Sequence, residues 1–198
     1  MDPLILKIVY CLSIVASVII RRPHEKRNKE NKIVNDQKST QEKLLLLVVW
    51  VGMMILPVLY MFTGLLGFAD YTLPLGLHIV GVLVMSAAMW LFYRSHKDLG
   101  RNWSVSLEIR EEHQLISSGV YRFIRHPMYT AIWLWVIGQA LLLNNYIAGL
   151  SGLVCFGLLY FFRVGQEEKM MAATFGEAYE KYKLKTGRLW PRVRSLST

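Results

Sequence analysis

The sequence predicts an all-α, polytopic membrane protein of about five transmembrane helices. The last two form a short helical hairpin, and further helical segments lie at the cytoplasmic surface. Two observations carry this reading. Hydrophobic residues make up 54% of the chain although its formal net charge is +9, and the two kinds are segregated into alternating blocks. All but one of the 23 lysines and arginines, Lys7 being the exception, fall in residues 21–43, 94–128 and 163–198, three segments that five crossings place on one side.

The apolar runs follow in order. LILKIVYCLSIVASVII (4–20) is interrupted only by Lys7, and residues 44–68 carry no charge over 25 positions, enough to cross a hydrocarbon core of ~30 Å at ~1.5 Å per residue. The third run (73–93) contains His78, which is expected to be neutral near mid-membrane and hydrogen-bonded to a neighbouring helix. Residues 129–143 and 146–162 are shorter and joined by Asn144 and Asn145, so the pair either crosses a thin region or dips in and returns. Asp2, together with Arg21 and Arg22 after the first run, argues against a signal peptide.

The chain divides into residues 1–93, three membrane helices with a basic cytoplasmic loop, and 94–198, where the polar residues capable of chemistry concentrate. The loop EKRNKENKIVNDQKSTQEK (25–43) reads as a solvated linker with a short helix. By the positive-inside rule the basic segments face the cytoplasm and the N-terminus lies outside or in a lumen. The basic residues are mixed with acids and flank membrane helices, so the bilayer's anionic headgroups, rather than nucleic acid, are the expected partner.

Several chemistries lack their residues. Cys11 and Cys155 both lie inside apolar runs, and the five histidines are scattered singly, so no metal site is expected. There is no G-x-G-x-x-G, no P-loop, and no pair of glycines four apart for close helix pairing.

Two polar segments bracket the hairpin and should meet at the membrane surface. In HQLISSGVYRFIRHPMY (113–129), Ser118 and Gly119 give a turn, and Pro127 starts a helix at the position where its missing N–H costs nothing. In the second segment (161–192), Arg163 and Glu167 are four apart and share a helix face, with their Cβ atoms ~6 Å apart. Glu168, ~100° further round, is expected to point elsewhere. Taken alone, Arg163 and Glu167 also fit an ordinary interfacial ion pair worth under ~1 kcal/mol.

SSGVYRFIRHPMY, a short hydrophobic hairpin, FFRVGQEE and then FGEAYEKY together resemble the isoprenylcysteine carboxyl methyltransferase family, in order and spacing over roughly residues 94–192. The first two helices carry no such signature. The resemblance implies an integral membrane enzyme that binds S-adenosylmethionine without a Rossmann fold and releases S-adenosylhomocysteine. It assigns the cofactor to His113, Gln114, Leu115, Ile116, Tyr121, His126, Pro127, Met128, Tyr129 and Glu167. Arg163 matches the arginine thought to hold the substrate carboxylate, so Arg163 and Glu167 are the catalytic candidates. The acceptor implied is a lipophilic carboxylate such as a prenylated C-terminal cysteine, methylated to its ester. One departure is Ala131, where the family commonly has glycine.

These residue types suit that chemistry. A carboxylate is already ionised at neutral pH, so its methylation needs alignment rather than a base. An arginine fork suits the acceptor, and an acid suits a cationic cofactor. Two other readings stay open: a relative acting on another lipid acceptor such as a phospholipid amine, or a membrane sterol-type reductase, and a non-catalytic membrane protein. The reductases usually continue with Gly-Asp after the tyrosine, where this chain has Thr130 and Ala131.

Overall fold

The computed structural model describes residues 1–29, 33–36, 40–100, 108–110 and 114–192. Helix α1 (Pro3–Lys29) is followed by α2 (Thr40–Trp50), a π turn (Val51–Ile55) and α3 (Leu56–Thr63), which continue one another. Next come α4 (Leu75–Leu99), α5 (Pro127–Leu143), α6 (Ser151–Phe175) and α7 (Glu177–Lys185). Three stretches are long and apolar enough to cross a membrane: Pro3–Glu25, Thr40–Thr63 and Leu75–Leu99. α5 is apolar but shorter, at 17 residues. The helical architecture is as expected from sequence.

Three details differ. Part of the basic loop is regular structure: α1 runs on to Lys29, and β1 (Ile33–Asp36) pairs antiparallel with β2 (Glu108–Arg110), joining the segment after α1 to the one after α4. The hairpin link is longer than two residues. Asn144 takes a left-handed conformation, and the Asn145 side chain accepts the Ile147 and Ala148 N–H groups at 3.0 and 2.8 Å while donating to the Leu66 carbonyl and Asp70. Those bonds hold residues 146–150 in turns and delay α6 to Ser151. His78 has the expected hydrogen bond to a neighbouring helix, but near the end of its own helix and not midway along it. It lies in the first turn of α4, with Nε2 2.7 Å from the Asn144 amide nitrogen and Nδ1 3.2 Å from the chain's N-terminal nitrogen.

These contacts gather the N-terminus, residues 64–74 and residues 144–147 at one end of the bundle. The sheet and the two polar segments lie at the other. α4 and α5 are the most closely packed pair. A Cβ added at Gly81 would stand 2.8 Å from the Leu141 Cβ, and one at Gly138 would stand 3.1 Å from the Met85 Cε. Single glycines therefore permit the close approach that the missing G-x-x-x-G spacing seemed to withhold.

The bundle centre holds one polar knot. A π turn leaves carbonyls without their usual helical partners. Here the Gly52 carbonyl accepts from Gln139 Nε2 (3.0 Å) and Ser151 Oγ (2.6 Å), and Gln139 also donates to the Ala148 carbonyl at 2.7 Å. The Tyr10 hydroxyl lies 2.7 Å from the Met53 carbonyl and 2.8 Å from Gln139 Oε1, its one proton serving either. Gln139 thus links α1, the π turn, α5 and the start of α6 while fully buried. Gln139→Leu leaves the Tyr10 hydroxyl on the Met53 carbonyl, but the single Ser151 proton can then serve only one of the Gly52 and Ala148 carbonyls, so the variant should lose ~1–3 kcal/mol. Thermal unfolding in detergent checks this, and an unchanged midpoint would show that the knot carries no stability.

Candidate active site

Proline fixes where α5 begins. Pro127 occupies N1 and holds His126 out of the helix at φ −123°, ψ 59°. The chain just before it is bonded to the C-terminal segment. Arg125 N–H donates to the Gly187 carbonyl (2.8 Å), His126 N–H to the Arg188 carbonyl (3.1 Å), and Gly187 N–H to the Phe123 carbonyl (3.2 Å). The Thr130 hydroxyl donates to the Leu189 carbonyl at 2.8 Å and the Tyr182 hydroxyl of α7 to the Tyr121 carbonyl at 2.7 Å. Residues 182–189 therefore lie across the start of α5. The turn expected at Ser118 and Gly119 is present: Gly119 has φ +58° and opens a 3-10 turn (Gly119–Arg122), while Asp98 of α4 accepts the Val120 N–H at 2.9 Å. A Cβ at Gly119 would collide with that carboxylate.

α6 supplies the facing acids. The Tyr129 hydroxyl donates to Glu167 Oε2 at 2.5 Å. His126 stands between the two glutamates, with Nδ1 3.7 Å from Glu167 Oε1 and Nε2 3.3 Å from Glu168 Oε1. Glu168, expected to point away, is the most heavily bonded acid of the site. It accepts from Arg125 Nε and Nη2 at 3.2 and 3.1 Å, and from Arg188 Nε and Nη2 at 3.2 and 2.6 Å. The expectation failed because the site is not built on one stripe of α6. The α5 start and the C-terminal segment approach between the directions of residues 167 and 168, and an imidazole with two opposed nitrogens reaches both.

The electrostatics follow this geometry. Burial raises the Glu167 carboxyl, but the hydrogen bond and charge of His126, the Arg163 charge and the Tyr129 hydroxyl outweigh it and hold its pKa at about 2. Burial likewise opposes ionisation of Glu168, and His126, Arg188 and Arg125 reverse it, holding the group well below the usual carboxylate range. For His126, burial disfavours the imidazolium, and the two carboxylates overcome it and raise its pKa above the ordinary 6.5. Tyr121 is buried with its hydroxyl 3.5 Å from the Ser95 carbonyl, and burial followed by the Glu167 charge raises its phenol well above the ordinary value.

Arg163 forms an ion pair that the sequence does not reveal. Its Nη1 lies 3.5 Å from Oε1 of Glu42, in the first turn of α2, with both side chains buried at 11% and 7% exposure. Its charge still acts on Glu167. Met128 is half-buried against the cluster of Leu91, Phe92 and Ala131, and Ala131 is 1% exposed, so its methyl is accommodated in the α4–α5 contact. Gln114 is exposed and Leu115 and Ile116 are half-buried in the irregular stretch leading to Gly119. His113 lies outside the described residues. The structure therefore brings His126, Tyr129 and Glu167 together, with Arg163 one turn earlier on α6, and leaves the Tyr121 hydroxyl at Ser95 and residues 114–116 before Gly119. Sequence reasoning missed Glu42, Arg125, Glu168 and Arg188. Arg125 stands inside the RHPMY motif, and Glu42 is the last acid before an uncharged run, but nothing local joins either to its partner. No group of three or more His, Cys, Asp or Glu arranged for a metal exists among the described residues.

An ionised, partly buried carboxylate bonded by the Tyr129 hydroxyl fits a cationic cofactor, and a buried guanidinium fits an anion. Fold and site thus define a polytopic helical membrane protein with a charged site at one membrane surface. Residues 79–173, from the first turns of α4 to the end of α6, match the isoprenylcysteine carboxyl methyltransferase family, so the resemblance seen in the motifs is borne out there. A protein-S-isoprenylcysteine O-methyltransferase of Schizosaccharomyces pombe is 28% identical over 114 residues, 58% of this chain and 46% of that protein. The human protein-S-isoprenylcysteine O-methyltransferase is 32% identical over 109 residues, 54% of this chain and 38% of its own. The matches thus span about half the length of the curated relatives or less. The solved structure of a eukaryotic intramembrane Ras methyltransferase, an isoprenylcysteine carboxyl methyltransferase, has the same fold, with a TM-score of 0.51 over 80% of this chain and 54% of that one at 24% identity.

The His126 bridge has a pH signature. A histidine whose pKa is raised on folding contributes stability that is fully present below its unfolded value near 6.5 and is lost as pH rises through the folded value. The melting-temperature advantage of the natural protein over His126→Gln should therefore shrink as pH is raised from about 6 to about 9. An advantage independent of pH would mean that the imidazole acts by shape and not by charge.

Proposed function

We propose that this protein transfers the methyl group of S-adenosylmethionine to the carboxylate of an isoprenylcysteine-like amphiphile, giving a methyl ester and S-adenosylhomocysteine. One observation supports it above the others: at one end of the membrane bundle, α6 presents an anion for a cation and, one turn earlier, a cation for an anion. When bound, the cofactor supplies an electrophilic methyl on a sulfonium.

The chain's own residues do the rest. Glu167, held ionised by Tyr129 and His126, is assigned to the cofactor together with His113, Gln114, Leu115, Ile116, Tyr121, Pro127, Met128 and the flanking main chain. Arg163 is assigned to the acceptor carboxylate, which needs orientation and no base. Alignment of such a pair supplies ~7–11 kcal/mol of a barrier of this kind. Holding the ions in a water-poor site favours their mutual neutralisation. Glu168, with Arg125 and Arg188, fixes the wall on which His126 stands. The distribution of basic residues supports an N-terminus that is outside or lumenal and a site that opens to the cytoplasm.

Two measurements test this reading. Glu167→Ala should weaken S-adenosylmethionine binding in titration calorimetry. Arg163→Ala should leave that binding nearly intact and lower methyl transfer to a synthetic prenylcysteine by roughly 30- to 1000-fold, equivalent to ~2–4 kcal/mol. Near-normal turnover in both variants would remove the assignment. For orientation, cysteines at the exposed positions Ser118 and Lys185 should react with an impermeant thiol reagent in inside-out vesicles only, and labelling of right-side-out vesicles would reverse the topology.

A further inference from the structure

The Arg163–Glu42 pair joins two parts of the chain that the sequence treats as unrelated. Glu42 lies in the first turn of α2, outside the residues that match the methyltransferase family, and its carboxylate stands 3.5 Å from the guanidinium assigned to the acceptor. A buried arginine needs a counter-ion when no acceptor is present, because an uncompensated guanidinium in a water-poor site is costly. Glu42 supplies one with the same chemical group that the acceptor brings.

We infer that Glu42 is an internal stand-in for the acceptor carboxylate, and that the acceptor binds by displacing it from Arg163. This rests on the assignment of Arg163 to the acceptor. Three consequences follow from charge alone. An acceptor that bound without displacing Glu42 would place two anions on one guanidinium, and like charges so close repel strongly. A displaced Glu42 is not stranded, because it remains in the first turn of α2, where free N–H groups and the helix dipole favour an anion. Once methylated, the acceptor is a neutral ester that no longer competes, so the returning Glu42 favours product release. The same exchange selects ionised amphiphiles over neutral ones, which makes Glu42 a specificity-determining residue contributed by the N-terminal helices.

The test uses the full protein in lipid nanodiscs, with N-acetyl-S-farnesylcysteine and its methyl ester as probes. Glu42→Gln keeps the shape and removes the charge. It should lower the KM for the acid at least ~5-fold while leaving affinity for the ester and for S-adenosylmethionine unchanged. A Glu42→Gln protein that binds cofactor normally but shows an unchanged or raised KM overturns the inference, a raised value meaning that Glu42 orients the arginine instead. A second readout needs no variant: in the natural protein, amide hydrogen exchange over residues 40–44 should accelerate on adding the acid and not the ester, and no change overturns the inference even if Glu42→Gln fails to fold. Arg163→Ala separates this from the parent assignment. If it binds acid as well as the natural protein does, the assignment of Arg163 is wrong; if it loses acid binding while Glu42→Gln behaves as the natural protein, only the role of Glu42 falls.

Discussion

A histidine held between two adjacent glutamates is the interaction on which the rest of the site depends. Charged groups at a membrane surface, partly withdrawn from water, are stable only when each is met by an opposite charge or a hydrogen bond. Glu168 meets that requirement through Arg125, Arg188 and His126, and Glu167 through Tyr129 and His126. Because Arg125 and His126 precede α5 and Arg188 lies past α7, neutralising these two acids also sets the relative position of α5, α6 and the C-terminal segment. The main-chain bonds of Gly187 and Arg188 repeat that placement without charge. Side-chain and main-chain constraints thus agree on one geometry.

α6 connects this surface to the membrane. Its first half packs around Phe156 in the apolar core, and its second half carries Arg163, Glu167 and Glu168 without a break in the helix. The depth of the charged groups is therefore set by where α6 starts. Asn145 determines that start by capping residues 147 and 148 while bonding across to Leu66 and Asp70. The Gln139 knot fixes the same helix against α1 and the π turn. A polar residue at the far end of the bundle and one at its centre thus help to position acids at the near end.

The N-terminal helices complete the site as well as the bundle. The first two hold no residue that local spacing marks as functional, yet α2 delivers Glu42 to Arg163. The match to the isoprenylcysteine carboxyl methyltransferase family covers residues 79–173, which include Arg163 and not Glu42. Contributions from outside a matched segment arise wherever a helix end from elsewhere in the chain is folded against it.

The sequence alone determined the membrane class, the order of the apolar helices, the start of α5 at Pro127, the turn at Gly119 and the helix that Arg163 and Glu167 share. Each of these is written in local chemistry: hydropathy over a run, a proline ring without an N–H, a glycine free to take positive φ, or two residues four apart on one helix. Tertiary structure decided the ion-pair partners. Glu168 appeared to point away because a helix face says nothing of what packs on the neighbouring face. Arg163 was matched with Glu167 because spacing sees only the same helix, whereas its carboxylate partner comes from 121 residues earlier in the chain. Long side chains at the end of a bundle reach whichever opposite charge the fold brings near, and that is fixed by how the helices pack.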